Sequence, residues 1–220
     1  KPYSDEGIVM GLSSYGNFNK KFKKQSYINF FREKILYKNG EIIINKNYFT
    51  FGLTREGWVS KTFIKYFGKK RATGSRILPH HKNIAAALQQ RLEEICAGIL
   101  KYLKNQINTN NLCLSGGVAL NCVMNGKMHS KSKFKNINVP SSPGDSGVAV
   151  GAVLMMLRDK YGKFFKCTKS PYLGPKYKKI KKIELLKKIK NKKIKIKKLK
   201  NNFNFLANQL LDKKIIAIFH

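Results

Sequence analysis

No stretch of this chain approaches the roughly 20 apolar residues that a membrane-spanning helix needs, and no secretory leader is visible. Cysteine is sparse. The four present, Cys96, Cys113, Cys122 and Cys167, form no CxxC pair and no zinc spacing, which excludes a disulfide framework and a zinc module. Cys96 and Cys113 sit in apolar stretches, where free cysteine acts as a small hydrophobe. A reduced, cytoplasmic setting is the expectation. An initiator Met is also missing, and Ile215–Phe219 reads as a strand that stops at His220. Both ends therefore read as cuts, and the chain is expected to be an internal piece of a longer protein.

Acidic residues are few: 11 Asp and Glu face 45 Lys and Arg, for a formal net charge of +34. Such a balance invites a nucleic-acid reading. The excess, however, is almost all Lys and travels with heavy Ile and Asn usage. It is densest in Lys176–Lys200, where aromatics for base stacking are nearly absent. Solvated surface is the simpler account. The histidines offer little either. His80 and His81 are adjacent and would point apart, and His129 lies at a helix end, where it meets the helix dipole.

What is present is globular: 42% hydrophobic and 11% aromatic residues over 220 positions. Residues 1–79 read as irregular α/β structure. Glu41–Ile44, after Asn39-Gly40, is predicted as a hairpin strand, and Phe49–Phe51 as a second short strand. From Asn83 to about Lys104, apolar residues recur at three- and four-residue steps, predicting an amphipathic helix. Its start lies at Asn83 or at the His80–His81 turn after Pro79, and the Asn108–Asn111 cluster ends it. A short buried strand at 111–114, a Ser115-Gly116-Gly117 break and a helix from Val118 to Met128 follow. Ile137–Val139 is the next strand, Pro140–Gly147 a loop, and Val148 to about Tyr161 a second helix. Strand, loop and helix repeated in this way are the grammar of an α/β domain with ligand loops at strand C-termini. Beyond Lys169–Pro175 a second αβαβ unit is predicted: a helix at 180–189, a strand at 194–197, a helix at 203–211 and the strand at 215–219.

Two loops carry chemistry. Gly116 and Gly117 let the backbone approach a ligand with no Cβ in the way, and a helix start offers free N–H groups to a phosphate or ribose oxygen. Asn121, expected on the first turn of that helix, would face the same ligand. In Pro143-Gly144-Asp145-Ser146-Gly147, a carboxylate among small residues suits a divalent metal or a metal-bound phosphate. The plain alternative is an N-cap Asp. Met10–Gly16 is a third glycine-bounded turn and by itself only a loop. Trp58 reads as core more than cleft.

The order of these motifs is more specific than any one of them. EGIVMGLSSYG (6–16), HKNIAAALQQRLEE (81–94), NLCLSGGVALNCVMNGK (111–127), PSSPGDSGVAVGAVL (140–154) and SPYLGP (170–175) together resemble the O-carbamoyltransferase family, which includes the nodulation-protein and antibiotic-tailoring carbamoyltransferases. The resemblance implies that residues 1–169 are the C-terminal portion of a carbamoyl-transfer domain of the actin/sugar-kinase-like (ribonuclease H-like) ATPase superfold. Residues 170–220 would be the linker and first elements of a YrdC-like α/β domain. It implies transfer of a carbamoyl group from carbamoyl phosphate, through a carbamoyl-adenylate made with ATP, to a hydroxyl of a sugar or secondary metabolite. By resemblance, Ser115, Gly116, Gly117 and Asn121 would bind the nucleotide, and Asp145 would supply a ligand to an iron-type divalent metal. The family's paired metal histidines would lie upstream of the matched region, and the Arg-rich loop of the YrdC-like domain would follow His220. The isolated chain is therefore expected to be inactive. Asn83 stands where many relatives carry Asp and reads as a helix cap. Two other readings stand beside this one. One is a tRNA threonylcarbamoyl-transfer relative, which SPYLGP and the following αβαβ unit argue against. The other is a basic nucleic-acid or anion-binding module with a degenerate site.

Overall fold

A computed structural model describes residues 5–51, 57–165 and 202–216. The chain divides into two compact units, Lys1–Pro171 and Tyr172–His220. Each is mixed α and β or helical in its described part, and each is taken by itself.

In the first unit α1 (Glu6–Ser13) precedes a short antiparallel pair, β1 (Lys21–Phe22) and β2 (Gln25–Ser26). The expected turn at Met10–Gly16 is thus mostly helix, ending in a turn closed by Gly16 N–H on the Ser13 carbonyl. Ser26 starts α2 (Tyr27–Lys34) by accepting the Asn29 N–H on its hydroxyl. The predicted hairpin is present. β3 (Ile35–Lys38) pairs with β4 (Glu41–Ile44) around Asn39 and Gly40, whose φ angles are 51° and 89°. Two successive positive φ values are what a tight type I′ hairpin turn demands, and Asn-Gly is the pair that tolerates them. Phe49 forms only an isolated bridge to Val59, closed by the Thr50 N–H on the Trp58 carbonyl and the Ser60 N–H on the Tyr48 carbonyl, each at 3.0 Å. Ser60 caps α3 (Lys61–Phe67).

The spine of the unit is α4 (Pro79–Gln106), 28 residues long, or about 42 Å at 1.5 Å per residue. Pro79 opens it at the one position where a missing N–H costs nothing. The Leu78 N–H is taken by His81 Nδ1 at 3.1 Å. Asn83 is not the cap. It is buried inside the helix, and its Oδ1 accepts the Asn17 N–H at 2.8 Å, tying the loop after α1 to α4. Gly16 sits against the same helix so closely that a Cβ there would fall 2.1 Å from the Lys82 carbonyl oxygen.

The first half of α4 closes an aromatic core. Ala87 packs with Tyr27, Ile28, Phe30, Phe31 and Phe67, surrounded by Phe22, Tyr48, Phe49, Phe63 and Tyr66. Full burial of such a side chain is worth about 1.5–3 kcal/mol, so these rings outweigh the exposed ion pairs nearby. His80 packs against this core: Tyr27 Oη lies 2.7 Å from its Nδ1 and the Phe67 carbonyl 2.8 Å from its Nε2. The rings of His80 and His81 do not point apart as expected: their centroids lie 5.9 Å apart, edge to face at 61°, although the two bond different partners.

The second half of α4 packs on a βαβ unit. β5 (Asn111–Cys113) and β6 (Asn136–Asn138) are parallel, in register Leu112 to Ile137. Only Leu112 turns inward; Asn111 and Cys113 are exposed. The expectation of a buried strand and a buried Cys113 is thus corrected: side chains of α4 and α5 cover the Leu112 face of β5, and among the described residues the other face stays in solvent. Between the strands, residues 117–128 do not form one helix. Gly117–Leu120 is a single 3₁₀ turn, and α5 (Cys122–Lys131) starts afresh. Leu100, Met124, Met128 and Phe134 form the second core. α6 (Ser146–Tyr161) closes the described part of the unit. It buries no residue and ends at Gly162 in the left-handed conformation.

In the second unit α7 (Asn202–Leu211) matches the predicted helix. Ile215 and Ile216 carry no strand. The predicted elements at 180–189 and 194–197, SPYLGP, Cys167 and the rest of the 215–219 strand lie outside the described residues.

Candidate functional site

Parallel strands send their following loops out at the same end, where α/β proteins place ligands. Here the loops after β5 and β6 are bound to each other. The Gly116 N–H donates to the Pro143 carbonyl at 2.8 Å, and the Ser115 hydroxyl donates to the same oxygen at 3.1 Å. Gly116 has φ 93°, a conformation that L side chains rarely adopt, and a Cβ on Gly117 would meet nothing within 4 Å. The second glycine therefore leaves open space beside the backbone, as a close ligand approach needs.

That space is part of a cavity of about 710 Å³, within the size range of small-molecule sites. Gly117, Val118, Leu120 and Asn121 line one side of it, Gly144 and Asp145 another. Leu92 of α4 and Glu6, Gly7 and Met10 of α1 complete it. The wall is largely apolar, with two carboxylates and one amide.

Three of the five residues expected at a site, Gly117, Asn121 and Asp145, share this cavity. Ser115 does not line it. Its hydroxyl serves the Pro143 carbonyl, and the residue lines a second, apolar cavity of about 160 Å³ beside Cys96 and Met128. Burial pushes the Cys96 thiol above its ordinary value, and the charge of Glu93 adds to it. Gly116 shapes the turn from behind.

Asn121 is not on the first turn of a helix begun at Gly117. It is the N-cap of α5, its Oδ1 accepting the Met124 N–H at 2.9 Å. The same amide forms a reciprocal pair with Gln89 of α4: Nδ2 donates to Gln89 Oε1 at 2.8 Å, and Gln89 Nε2 donates to Oδ1 at 3.1 Å. Asp145 is exposed and makes no capping hydrogen bond. Its own backbone is already helical, φ −56° and ψ −32°, whereas a capping residue sits in the extended region so that its side chain reaches back. Its carboxylate is therefore not engaged as a cap.

Among the described residues no group of three or more His, Cys, Asp or Glu is placed to hold a metal ion. Asp145 by itself is one donor, short of the several that a divalent cation takes. No helix of the described residues is long and apolar enough to cross a membrane.

Sequence reading missed Glu6, Gly7, Met10 and Leu92, which the fold brings to the cavity from far along the chain. It also missed Gln89 and Glu93. Their spacing of four on an otherwise apolar helix stripe was the one signal available.

The match to known proteins covers this whole site. The model of the carbamoyltransferase N-terminus matches residues 1–154. The chain belongs to the carbamoyltransferase family. It is 32% identical over 80% of its length to an uncharacterized protein of Synechocystis sp., covering 29% of that relative. It is 37% identical over 39% of its length to nodulation protein NolO of Bradyrhizobium diazoefficiens, and 38% over 39% to nodulation protein NolNO of Sinorhizobium fredii. Those matches cover 16% and 13% of the two nodulation proteins, so the chain spans less than a third of each of these three relatives. α1, α4, β5, α5, β6 and most of α6 of this carbamoyltransferase-family chain lie inside the matched region.

Proposed function

We propose that this carbamoyltransferase-family chain forms one wall of a nucleotide site. There carbamoyl phosphate would lose its phosphoryl group to water as inorganic phosphate, and the carbamate so released would attack the α-phosphorus of ATP, displacing pyrophosphate and leaving carbamoyl-adenylate. A hydroxyl of a small acceptor, a sugar or secondary metabolite, would then attack the carbamoyl carbon and release AMP. The observation that carries this reading is the open, Cβ-free wall at Gly117, on a loop bound to the Asp145 loop, at the C-terminal end of two parallel strands. Backbone without side chains is what a phosphate or an anhydride can approach closely. The cavity volume of about 710 Å³ suits a ligand of nucleotide size.

In this reading Gly116 and Gly117 bring backbone against the nucleotide, Ser115 holds the turn in place, and Asn121 offers its amide. The larger architecture would be that of the actin/sugar-kinase ATPase superfold, with a YrdC-like domain beginning in the second unit. Asp145 would contribute one ligand to a divalent metal. The described residues alone do not complete such a site.

Calorimetric titration of ATP into the full chain tests the reading. Wild type is expected to bind, and Gly117→Val, which fills the open wall, to bind at least tenfold more weakly with its circular dichroism unchanged. Equal ATP binding by both proteins, or none by wild type, would overturn it.

A further inference from the structure

Glu93 lies on the inner face of α4 with no exposed surface, an unusual place for a carboxylate unless it is paired. Its pairing is directional. Lys127 of α5, itself half-exposed, puts Nζ 2.8 and 2.7 Å from the two oxygens. Gln89, also buried, donates Nε2 to Oε1 at 3.0 Å. A paired carboxylate only accepts hydrogen bonds, so Gln89 must turn its nitrogen toward Glu93. Its oxygen is then left for Asn121, which must answer with Nδ2. The Met124 N–H, donating to Asn121 Oδ1, demands the same orientation from the other side. Of the two N–H donors on Asn121, one is spent on Gln89; the second is what Asn121 has left for the cavity it lines.

We propose that Gln89 and Glu93 are positioning residues for the ligand wall. The Lys127–Glu93–Gln89 series sets which way round the Asn121 amide stands, and so presents a donor, not an acceptor, to an oxygen-rich ligand. Gln89 and Glu93 act on the ligand only through Asn121. For the ligand's identity the inference rests on the nucleotide reading; for the orientation of Asn121 it does not.

The experiment uses the full chain, labelled with ¹⁵N-asparagine, in wild type and as Gln89→Met, Glu93→Gln, Asn121→Ala and the Gln89→Met/Asn121→Ala double variant. Exchange of the Asn121 side-chain amide protons is read by NMR without ligand, and ATP affinity by calorimetry. Exchange is expected to be slow for one proton in wild type and at least tenfold faster in Gln89→Met. Glu93→Gln, which lets the Gln89 amide stand either way round, should move it in the same direction by a smaller factor. ATP affinity is expected to fall about tenfold in Gln89→Met, with no further loss on adding Gln89→Met to Asn121→Ala. Unchanged exchange in Gln89→Met overturns the proposal, and so do additive losses in the double variant. If Gln89→Met fails to fold, the more conservative Glu93→Gln decides by the same exchange measurement. Should wild type not bind ATP while exchange responds as expected, the nucleotide reading fails and the positioning role stands.

Discussion

The carboxylate of Glu93 on α4 and the ammonium of Lys127 on α5 lie 2.7 Å apart, one fully buried and the other 46% exposed. The pair joins the two helices that flank the second core, and its two ends differ in what removal would cost. Taking away the cation leaves a fully buried carboxylate with only the Gln89 amide donating to it. Taking away both leaves apolar groups of similar volume.

Lys127→Met is therefore expected to destabilise the chain by about 2–3 kcal/mol, below the 3–5 usual for a fully buried pair because Lys127 is half-solvated. Adding Glu93→Met should recover most of that loss. Urea unfolding of the two variants checks the sign, and a double variant less stable than Lys127→Met would count against a stranded charge.

Two glycines predict opposite outcomes. Gly16→Ala would drive a Cβ into the Lys82 carbonyl and should cost about 1–3 kcal/mol, as overpacking does. Gly11→Ala, inside α1 with nothing within 4 Å of the new Cβ, should stabilise by about 0.5–1 kcal/mol through helix propensity. The difference in urea midpoints between the two variants is the measurement.

Acid should loosen the start of α4. Burial holds the His81 imidazole below its ordinary pKa, and the neighbouring charges of His80 and Arg71 add to the effect. The folded state therefore prefers neutral His81, which accepts the Leu78 N–H. The stability it contributes is complete above its unfolded pKa of roughly 6.5. It is lost as pH falls below that value and through the lowered folded pKa. Thermal midpoints between pH 8 and 5 should fall less steeply in His81→Gln than in wild type.

Asp145→Ala separates capping from ligand binding. The carboxylate makes no capping hydrogen bond, so the unfolding free energy should change by no more than about 0.5 kcal/mol, where loss of a working cap costs about 1. If Asp145 is a metal ligand beside the nucleotide, EDTA should weaken ATP binding by wild type and leave the variant's unaltered.

Local rules made much of the frame readable. The Asn39-Gly40 hairpin follows from a turn that needs positive φ twice, and α4 from a three- and four-residue apolar rhythm sustained over many turns. The two glycine loops were readable as loops, and their order pointed to the family. The break between the 3₁₀ turn and α5 was not readable. Val118–Met128 holds poor helix formers on both sides of the break, Asn125 and Gly126 among them, so propensity does not single out Asn121, which Gln89 holds from another helix where the chain restarts. Gln89 and Glu93 were also hidden, since polar residues four apart on a helix ordinarily mark a solvated face.

From its sequence alone this chain was committed to the carbamoyltransferase family, to the α4 spine and to two glycine-bearing loops after short strands. These depend on local backbone preference and on residue order, which the chain carries without reference to its fold. Only the tertiary structure decided that α1 lines the same cavity as Gly117 and Asp145, that Ser115 ties the two loops together, and that a buried carboxylate orients Asn121. Those relations join residues far apart in the chain. Packing of α1 and α5 against α4 and the parallel pairing of β5 with β6, not any local preference, bring them together.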